Sequence, residues 1–531
     1  MKYFLVSCCL YFILMLIKER YGLHMLQQNE YNVNNRYIKW IDSNFGKIFC
    51  FWDLLLFVFM PIAYFLKTPT LVSVVFQILL IFLIIMYVIE SIKNKRRVKK
   101  PLVYTSRIKR LIVTLIILDI IPILMFIGIF DMDKINIYNI ILILIIYFSY
   151  FIVFISNIIN IPVEKLVYIY YKNKTINNLN SFNNLEVIGI TGSYGKTSSK
   201  NILNDILSVK YNVVPTPKNW NTPFGLMKTI NDGYIDKFDD IFIAEMGAYA
   251  VGDIKKLCDL VHPKYGIITK VGTAHLESMG SEDNIIKCKF ELIESLPSDG
   301  VAILNKDDEK QVNYKLKNKV KTIWIGVDSK DADFIASNIK ISRDGMSFDC
   351  VIGGKKVKFK TKLLGIPNIY NILAGIAIGN YMGIDNDNLV KAVSMVKPVE
   401  HRLELKPSYD ITYIDDAYSS NPEGAKMALD VLSLMDGKKI IMTPGMIELS
   451  YEQEHYNKEF GRQIAKTCDI VILVGKKQTK PIYDGLLESK FDKKKIYVID
   501  DVKKGFDIIN KIKDNNTFVL LENDLPDLFN E

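Results

Sequence analysis

The first 160 residues are dominated by long apolar runs, whereas the rest of the chain alternates short apolar and polar stretches. A helix needs about 20 apolar residues to cross the hydrocarbon core of a bilayer. Five segments approach that length and predict membrane-spanning helices: residues 1–17, 48–66, 71–92, 111–130 and 135–159. The first is short. Because no small-residue cleavage site follows it, we interpret it as an uncleaved anchor rather than a signal peptide.

From residue 185 onward the pattern is that of an α/β protein. "LEVIGI" is β-prone, "TGSYGK" is a glycine turn, and helical spacing follows. Four further β runs, separated by helical stretches, close the chain: "KKIIMTP", "DIVILVG", "KKIYVID" and "NTFVLLE". This alternation predicts a multidomain protein. We expect an α-helical transmembrane bundle over 1–165, a central α/β P-loop domain over 180–395 and a Rossmann-like α/β domain over 396–531.

The basic residues set the predicted orientation. The net charge is +9, and the densest basic run, "KNKRRVKK" at 93–100, lies between two predicted spans. A positive-inside loop explains this run better than a nucleic-acid site, because no basic patch with interleaved aromatic residues accompanies it. We therefore predict no nucleic-acid partner. Residues 18–47 and everything after the fifth span are placed in the cytoplasm, where ATP is available.

Few polar features interrupt the spans. Asp53, Glu90 and Asp119 are their acids; Glu90 reaches an interface, whereas the other two suit either function or helix packing. Residues 23–41 form a predicted cytoplasmic loop, either an amphipathic surface piece or a substrate-contacting loop. None of the seven cysteines has C-x-x-C spacing, which argues against a disulfide framework or a zinc site.

A strand, a glycine turn and a helix make "LEVIGITGSYGKTSSKNIL" a candidate phosphate loop, because backbone amides at a helix start point at an anion. Lys196 would reach the outer phosphates and the Thr197 hydroxyl would bind magnesium. The strict pattern is not met, since Ile190 stands at its first glycine position. The residues predicted to surround the phosphates are Gly192, Ser193, Tyr194, Gly195, Lys196, Thr197 and Ser198.

Three later positions carry candidate chemistry. Glu245 ends the β-prone run "DDIFIAE", where an acid can hold magnesium. His275 follows the next strand, and Lys287 and Lys289 lie on the helix after it. Taken singly, each has a plainer explanation: a strand-end turn, a surface histidine and solvated lysines.

The order of these motifs is more specific than any one of them. "GITGSYGKT", "EMGA" and "AHLESMGS" followed by "KCKFE" resemble the Mur ligase family, and within it the members that add D-alanyl-D-alanine to a muramyl tripeptide. The segments "VAILNKDDE", "GIPNIYNILAGIAIG", "EHRLEL" and "YIDDAYSSNPEG" extend the likeness over about residues 185–531.

This resemblance implies an ATP-dependent amide ligase of peptidoglycan synthesis at a bacterial cell membrane, with cytoplasmic catalytic domains. ATP would phosphorylate a carboxylate of a muramyl-peptide acceptor, and the amine of an amino acid or dipeptide would attack the acyl phosphate. It implies catalytic roles for Lys196, Lys289 and His275. It implies magnesium ligation by Thr197, Glu245, His275 and Lys289, the last carbamylated by CO2. It implies ATP contacts from Arg402 and Asp416, and nucleotide contacts at the adenine side from Asn305 and Asn371.

Three departures from the family pattern stand out, and the last two leave the incoming amine open. Pro367 stands where the family usually has histidine. "TPGMIEL" replaces Gly-Asp-Met-x-Glu-Leu, and the tail "FVLLENDLPDLFNE" lacks the usual Lys-Gly-Ser run. The last two lie in the domain that would receive the amine.

The region before the phosphate loop departs most. Only about 25 residues separate the fifth span from the loop strand, which leaves no room for the family's domain that binds a uridine nucleotide. We hypothesise that the acceptor is lipid-linked at the inner leaflet. The alternative is that the helices only anchor the ligase.

Other function classes fit less well. A transporter ATPase would need polar residues along its spans and paired acids after "IFIA". A non-catalytic scaffold would not need Lys196, Glu245, His275 and Lys289 together. The second ligase alternative is an enzyme that adds amino acids to another envelope polymer, such as poly-γ-glutamate.

Overall fold

The computed structural model describes residues 2–29, 31, 36–48, 52–58, 68–95, 101–129, 131, 134–182, 184–272, 279–418, 421–447, 449 and 452–524. The chain divides into two compact units, Met1–Ile169 and Tyr170–Leu525. The first is helical, and the second contains the sheets and the candidate site.

The N-terminal unit is built from helices rich in Leu, Ile, Val and Phe. They are α1 (Lys2–Gln28), α2 (Ile38–Ser43), α3 (Phe45–Ile48), α4 (Pro69–Lys95), α5 (Ser106–Gly128), α6 (Ile135–Tyr147) and α7 (Ser149–Asn180), and residues 52–58 are also helical. Within the described ranges, three helical segments are long and apolar enough to cross a membrane: Thr70–Ile92, Ser106–Gly128 and Ser149–Asn180. Most of the predicted span 48–66 lies outside the described residues.

Two predicted spans differ from the observed helices. The first continues to Gln28 because Lys18 and Glu19, which the sequence placed in the cytoplasm, are buried within the unit. The fifth is wrong as a single helix, since α6 ends at Tyr147 and α7 begins at Ser149. Lys18 Nζ donates a hydrogen bond to the Ile146 carbonyl at 3.0 Å. A backbone break in an apolar setting persists where such groups satisfy the freed carbonyls.

The second unit begins with a nine-stranded sheet in the order β2-β3-β1-β4-β5-β6-β7-β8-β9. Its first seven strands run parallel, and β8 and β9 continue it antiparallel. The strands are β1 (Glu186–Thr191), β2 (Val213–Pro215), β3 (Ile241–Glu245), β4 (Tyr265–Ile268), β5 (Val301–Asn305), β6 (Lys321–Gly326), β7 (Phe334–Ser342), β8 (Gly345–Ile352) and β9 (Lys355–Thr361).

Helices with one apolar face cover this sheet. They are α8 (Lys196–Leu207), α9 (Pro223–Asn231), α10 (Asp253–Val261), α11 (Glu282–Glu294), α12 (Glu309–Val312), α13 (Ile366–Tyr381) and α14 (Asn386–Met395). The buried faces of α8 and α13 pack with strands β1, β3 and β5 in one apolar core. That core fixes the start of α8 at the carboxyl edge of the sheet.

The four β runs predicted near the end of the chain form strands, as expected. With β10 (Glu404–Ser408) and β11 (Ile411–Asp416) they build a six-stranded sheet in the order β10-β11-β15-β12-β13-β14, parallel except for β10. They are β12 (Lys438–Thr443), β13 (Ile470–Val474), β14 (Ile496–Ile499) and β15 (Thr517–Glu522). Its helices are α15 (Pro422–Ser433), α16 (Gln453–Thr467), α17 (Lys480–Glu488) and α18 (Val502–Ile512).

The predicted fold class, a helical N-terminal region followed by two α/β domains, is confirmed. Register matters for the site. β1 and β3 are neighbours with Ile190 opposite Glu245, so the loop after β1 and the acid that ends β3 emerge at one edge. In parallel α/β sheets, that carboxyl edge is where ligands bind.

Candidate active site

The loop between β1 and α8 requires glycine at two positions. Gly192 has φ +151°, and a Cβ there would lie 2.0 Å from Thr269 Oγ1. Gly195, the residue before α8, is left-handed with φ +78°. Both conformations strain residues that carry a Cβ. The glycine spacing therefore serves the backbone path that the phosphate-loop prediction requires.

Neighbouring segments hold this loop in place. The Ser193 amide donates to the Lys270 carbonyl at 2.7 Å, and Ser193 Oγ donates to the Gly272 carbonyl at 3.1 Å. The Thr269 hydroxyl donates to the Tyr194 carbonyl at 2.5 Å. These bonds preorganise the turn, while Ser198 lies within the first turn of α8.

Lys196 folds back over the loop. Its Nζ donates to the Gly192 carbonyl at 2.7 Å. Burial, together with the positive charges of Lys289 and Arg402, lowers the pKa of Lys196 to about 7 against the opposing charge of Glu245. Two further cations close enough to act on Lys196 make this a place where a polyanion would be stabilised.

Glu245 and Thr197 form the predicted magnesium-binding pair. Thr197 Oγ1 and Asn221 Nδ2 each donate to Glu245 Oε1 at 3.1 Å. Lys200 Nζ lies 3.1 Å from the other oxygen, Oε2. Hydroxyl and carboxylate oxygens are the donors that Mg²⁺ prefers. The chemistry of this donor pair therefore fits the ion.

The other two predicted metal ligands are Lys289 and His275, and the structure describes only the first. Lys289 lies on α11 and is 2% exposed, and burial lowers its pKa. His275 lies outside the described residues. Across the described ranges, no group of three or more His, Cys, Asp or Glu side chains could hold a metal. Among the described residues, the oxygen donors that suit magnesium at this edge are the Thr197 hydroxyl and the Glu245 carboxylate.

The two asparagines predicted at the adenine side have different surroundings. Asn371, on α13, lies beside the phosphate loop, since a Cβ on Gly195 would meet its Oδ1 at 3.7 Å. Asn305 ends β5 and is buried, and its Oδ1 accepts from the Asp307 amide at 2.9 Å. Asn371 therefore lies next to the candidate phosphate loop, whereas Asn305 supports the turn after its strand.

The C-terminal domain contributes to the same site. Burial lowers the pKa of Arg402, and the charges of Asp416 and Glu245 oppose that shift, so the guanidinium lies near both carboxylates. Asp416 Oδ1 accepts from the Leu403 amide at 3.2 Å. The structure thus brings Arg402 towards Lys196 and Glu245, although long sequence separations divide them.

The cavity beside Lys196 has a wall that the sequence motifs did not predict. A cavity of about 160 Å³ is lined by Lys196, Asn221, Thr222, Pro223, Gly247, Ala248, Tyr249 and Asp253. The Thr222 hydroxyl caps α9, and Pro223 opens that helix. Thr-Pro before an apolar run is a helix-start signal that could have drawn attention to this segment.

The two C-terminal departures from the family pattern lie together. Thr443 Oγ1 donates to Glu522 Oε2 at 2.6 Å, and Asn523 Nδ2 donates to the Gly445 carbonyl at 2.6 Å. Burial, reinforced by the nearby charge of Asp416, raises the pKa of Glu522 to about 8. The changes at "TPGMIEL" and "LLEND" therefore form one local environment.

Comparison with known families matches two models to this chain. The Mur ligase middle domain matches residues 190–379, and the Mur ligase glutamate ligase domain matches residues 401–521. UDP-N-acetylmuramoyl-tripeptide--D-alanyl-D-alanine ligase of Bacillus subtilis is 32% identical over 333 residues, covering 62% of this chain and 70% of that protein. The enzyme of the same name from Escherichia coli is 30% identical, covering 55% of this chain and 64% of that protein.

Solved structures share the fold. The MurF ligase of Thermotoga maritima in complex with ADP superposes with a TM-score of 0.60 at 24% identity, covering 67% of this chain and 80% of that chain. MurF from Acinetobacter baumannii gives 0.59 at 21% identity, covering 68% of this chain and 78% of that chain.

Proposed function

Because this chain belongs to the Mur ligase family and is an ATP-dependent ligase that forms carbon–nitrogen bonds, we propose that it joins a D-alanyl-D-alanine-like amine to a muramyl-peptide carboxylate in cell-wall precursor synthesis. The observation that carries this proposal is the convergence of Lys196, Thr197 and Glu245 at one sheet edge, with the charges of Lys289 and Arg402 close by. The names of the relatives supply the substrates.

The proposed reaction has two steps. The acceptor carboxylate attacks the γ-phosphorus of ATP, ADP leaves, and an acyl phosphate forms. The neutral amine then attacks the acyl carbon, phosphate leaves with the C–O electron pair, and the nitrogen gives up one proton, which the leaving phosphate or solvent takes, as the amide bond forms. Lys196 and the loop amides hold the phosphates, and Arg402 adds positive charge from the C-terminal domain. Phosphoryl transfer depends mainly on such positioning and charge neutralisation.

Magnesium would be held by Thr197 and Glu245, with His275 and Lys289 completing the set. The ion would neutralise phosphate charge while bound there. Lys289 fits a carbamylated ligand because burial lowers its pKa, which favours the neutral amine that CO2 modifies. Asn371, Asn305 and Asp416 would line the nucleotide side.

A lipid-linked acceptor at the inner leaflet is the finer part of the proposal. Helix α7 runs from an apolar stretch to Asn180, and its last part contacts α9. Asn231 Nδ2 donates to Thr175 Oγ1 at 2.9 Å, and Asn178 Nδ2 donates to Asn231 Oδ1 at 3.0 Å. The other end of α9 lines the cavity beside Lys196. The lipid-linked acceptor is supported by the three helices that are long and apolar enough to cross a membrane, in a protein whose catalytic domains would be cytoplasmic.

A mass-spectrometric assay tests both parts. The full chain in nanodiscs receives ATP, Mg²⁺, bicarbonate and D-alanyl-D-alanine, with UDP-muramyl tripeptide or its lipid-linked counterpart as acceptor. A mass gain on the lipid-linked acceptor alone supports the membrane acceptor, and a gain on the soluble one alone reduces the helices to an anchor. Lys196→Met is the inactive control.

The second candidate is a ligase that acts on another envelope polymer. It is supported by the two segments of the C-terminal domain that depart from the family pattern. Thr443 and Glu522 contact each other where the relatives' pattern differs, in the domain that would bind the amine. The same assay with L- and D-glutamate in place of the dipeptide distinguishes the candidates. Product with glutamate and none with D-alanyl-D-alanine would favour the second.

A further inference from the structure

Lys200 is a buried lysine to which the proposed reaction assigns no role. It lies four residues after Lys196 on α8, on the face that packs inward with Leu203 and Leu207. Only 1% of its surface is exposed. A lysine on the apolar face of a helix is rare unless a partner offsets the cost of burying its charge.

Its partner is the carboxylate that is proposed to bind magnesium. Lys200 Nζ lies 3.1 Å from Glu245 Oε2, and the Glu245 side chain is itself 1% exposed. The other oxygen, Oε1, accepts from Thr197 and Asn221. The ammonium and the neutral donors therefore approach the carboxylate through different oxygens. Lys200 supplies the counter-charge without occupying the Thr197 side.

Lys200 also holds the loop that forms the cavity wall. Its ammonium donates a hydrogen bond to the Lys218 carbonyl. Lys218 has a left-handed backbone with φ +49°, a conformation that needs support from its surroundings. Three residues on, the Asn221 carbonyl accepts from the Gly247 amide at 2.8 Å. The segment 218–221 is thus tied at one end to Lys200 and at the other to the Glu245 side of the site.

We propose that Lys200 is a positioning residue that couples Glu245 to the cavity-wall loop 218–221. One ammonium fixes both the orientation of the Glu245 carboxylate and the path of loop 218–221. The proposed magnesium ligands and the cavity wall are thereby held in a fixed position relative to each other. This rests on the proposed function only for the identity of the acceptor, because the loop and the carboxylate are coupled whatever binds there.

The test compares Lys200→Met with Lys391→Met, since Lys391 is an exposed lysine on α14. Amide hydrogen exchange of residues 216–222 should rise at least tenfold in Lys200→Met and stay unchanged in the control. In EDTA the variant should melt at a lower temperature than wild type. Mg²⁺ alone should then raise its melting temperature more than that of wild type, because Glu245 has lost its protein cation.

Kinetics add a readout that a purely structural role would not move. The acceptor KM should rise about tenfold in Lys200→Met while ADP affinity changes less than threefold, and Lys200→Arg should recover part of the loss. Unchanged exchange in 216–222 with a wild-type response to Mg²⁺ would overturn the proposal.

A second variant covers failure of Lys200→Met to fold. Asn221→Ala removes the side-chain hydrogen bond from the loop to Glu245 Oε1 without leaving a buried lysine unpaired. It should raise exchange in 216–222 and the acceptor KM, and no change in either would also overturn the coupling. If the exchange and melting results appear but no muramyl acceptor reacts, the positioning role stands and the proposed function fails.

Discussion

Two buried lysine–carboxylate pairs lie in different parts of this molecule. In the helical unit, Lys18 Nζ lies 2.8 Å from Asp53 Oδ2 and donates to the Ile146 carbonyl. In the catalytic unit, Lys200 pairs with Glu245 and donates to the Lys218 carbonyl. Each lysine therefore joins one carboxylate to one backbone carbonyl.

Their other contacts separate them. Asp53 Oδ2 also accepts from the Tyr87 hydroxyl at 2.8 Å, so its partners lie within an apolar helical core. Glu245 Oε1 accepts hydrogen bonds from Thr197, at the start of α8, and from Asn221, which lines the cavity. The same chemical pair thus supports packing in one unit and a candidate reaction centre in the other.

The largest effect is expected from Glu245→Gln. Turnover should fall about a thousandfold, because the proposed magnesium pair and the loop tie lose one carboxylate charge together. Product formation is measured by mass spectrometry at saturating ATP. Asp53→Asn, the matched change in the helical unit, should keep wild-type turnover per folded molecule; a comparable loss there would erase the contrast.

The reverse contrast follows from Lys18→Met. Removing one partner of a buried pair costs about 3–5 kcal/mol, because the remaining charge is uncompensated. Thermal unfolding in detergent should show a clear loss of stability, and Lys18→Met combined with Asp53→Asn should regain part of it. Failure of the double variant to improve on the single one would show that charge is not what Lys18 contributes.

Glu522 is a buried carboxylate that accepts a hydrogen bond from the Thr443 hydroxyl, and burial raises its pKa to about 8. A carboxyl with a raised folded pKa gives stability below about pH 4.5 that is lost as pH rises towards 8. Glu522→Gln should remove this slope and be more stable than wild type at pH 8, by on the order of 1–3 kcal/mol. Melting curves from pH 5 to 9 measure it, and parallel slopes for both proteins contradict it.

The smallest effect is expected from Asn231→Ala, at the contact between α7 and α9. Its side chain bonds Thr175 and Asn178, so the change should cost about 1–2 kcal/mol locally. Hydrogen exchange of residues 223–231 should rise. The acceptor KM should rise more for a lipid-linked than for a soluble substrate. Equal rises in the two KM values would show that α7 does not contribute to acceptor selection. Asn388→Ala is the control, because Asn388 is an exposed residue in the first turn of α14 whose side chain bonds the cap residue Asp385.

Local pattern was enough to predict much of the site. The strand–glycine turn–helix order located Lys196 and Thr197, and the end of a β run located Glu245. The four C-terminal strands followed from apolar runs of strand length. In each case, neighbouring residues determine the backbone conformation and the function depends on that conformation.

Lys200 and Asn221 were not predicted from the sequence, because their proposed roles depend on contacts with residues far away in the sequence. Lys200 sits on the apolar face of α8, a signal visible in sequence, yet nothing local links it to Glu245 or to the Lys218 carbonyl. The continuation of α1 through Lys18 and the break at Phe148 were not predicted for the same reason. Lys18 donates to the Ile146 carbonyl next to the break, across 128 residues of sequence.

Sequence alone determined the order of elements, the family likeness and the position of the candidate phosphate loop, because hydrophobic spacing and glycine positions act over a few residues. Tertiary structure decided which lysine neutralises which carboxylate. The register of β1 against β3 places Glu245 beside α8, and burial then requires a counter-charge that only a residue brought close in space can supply.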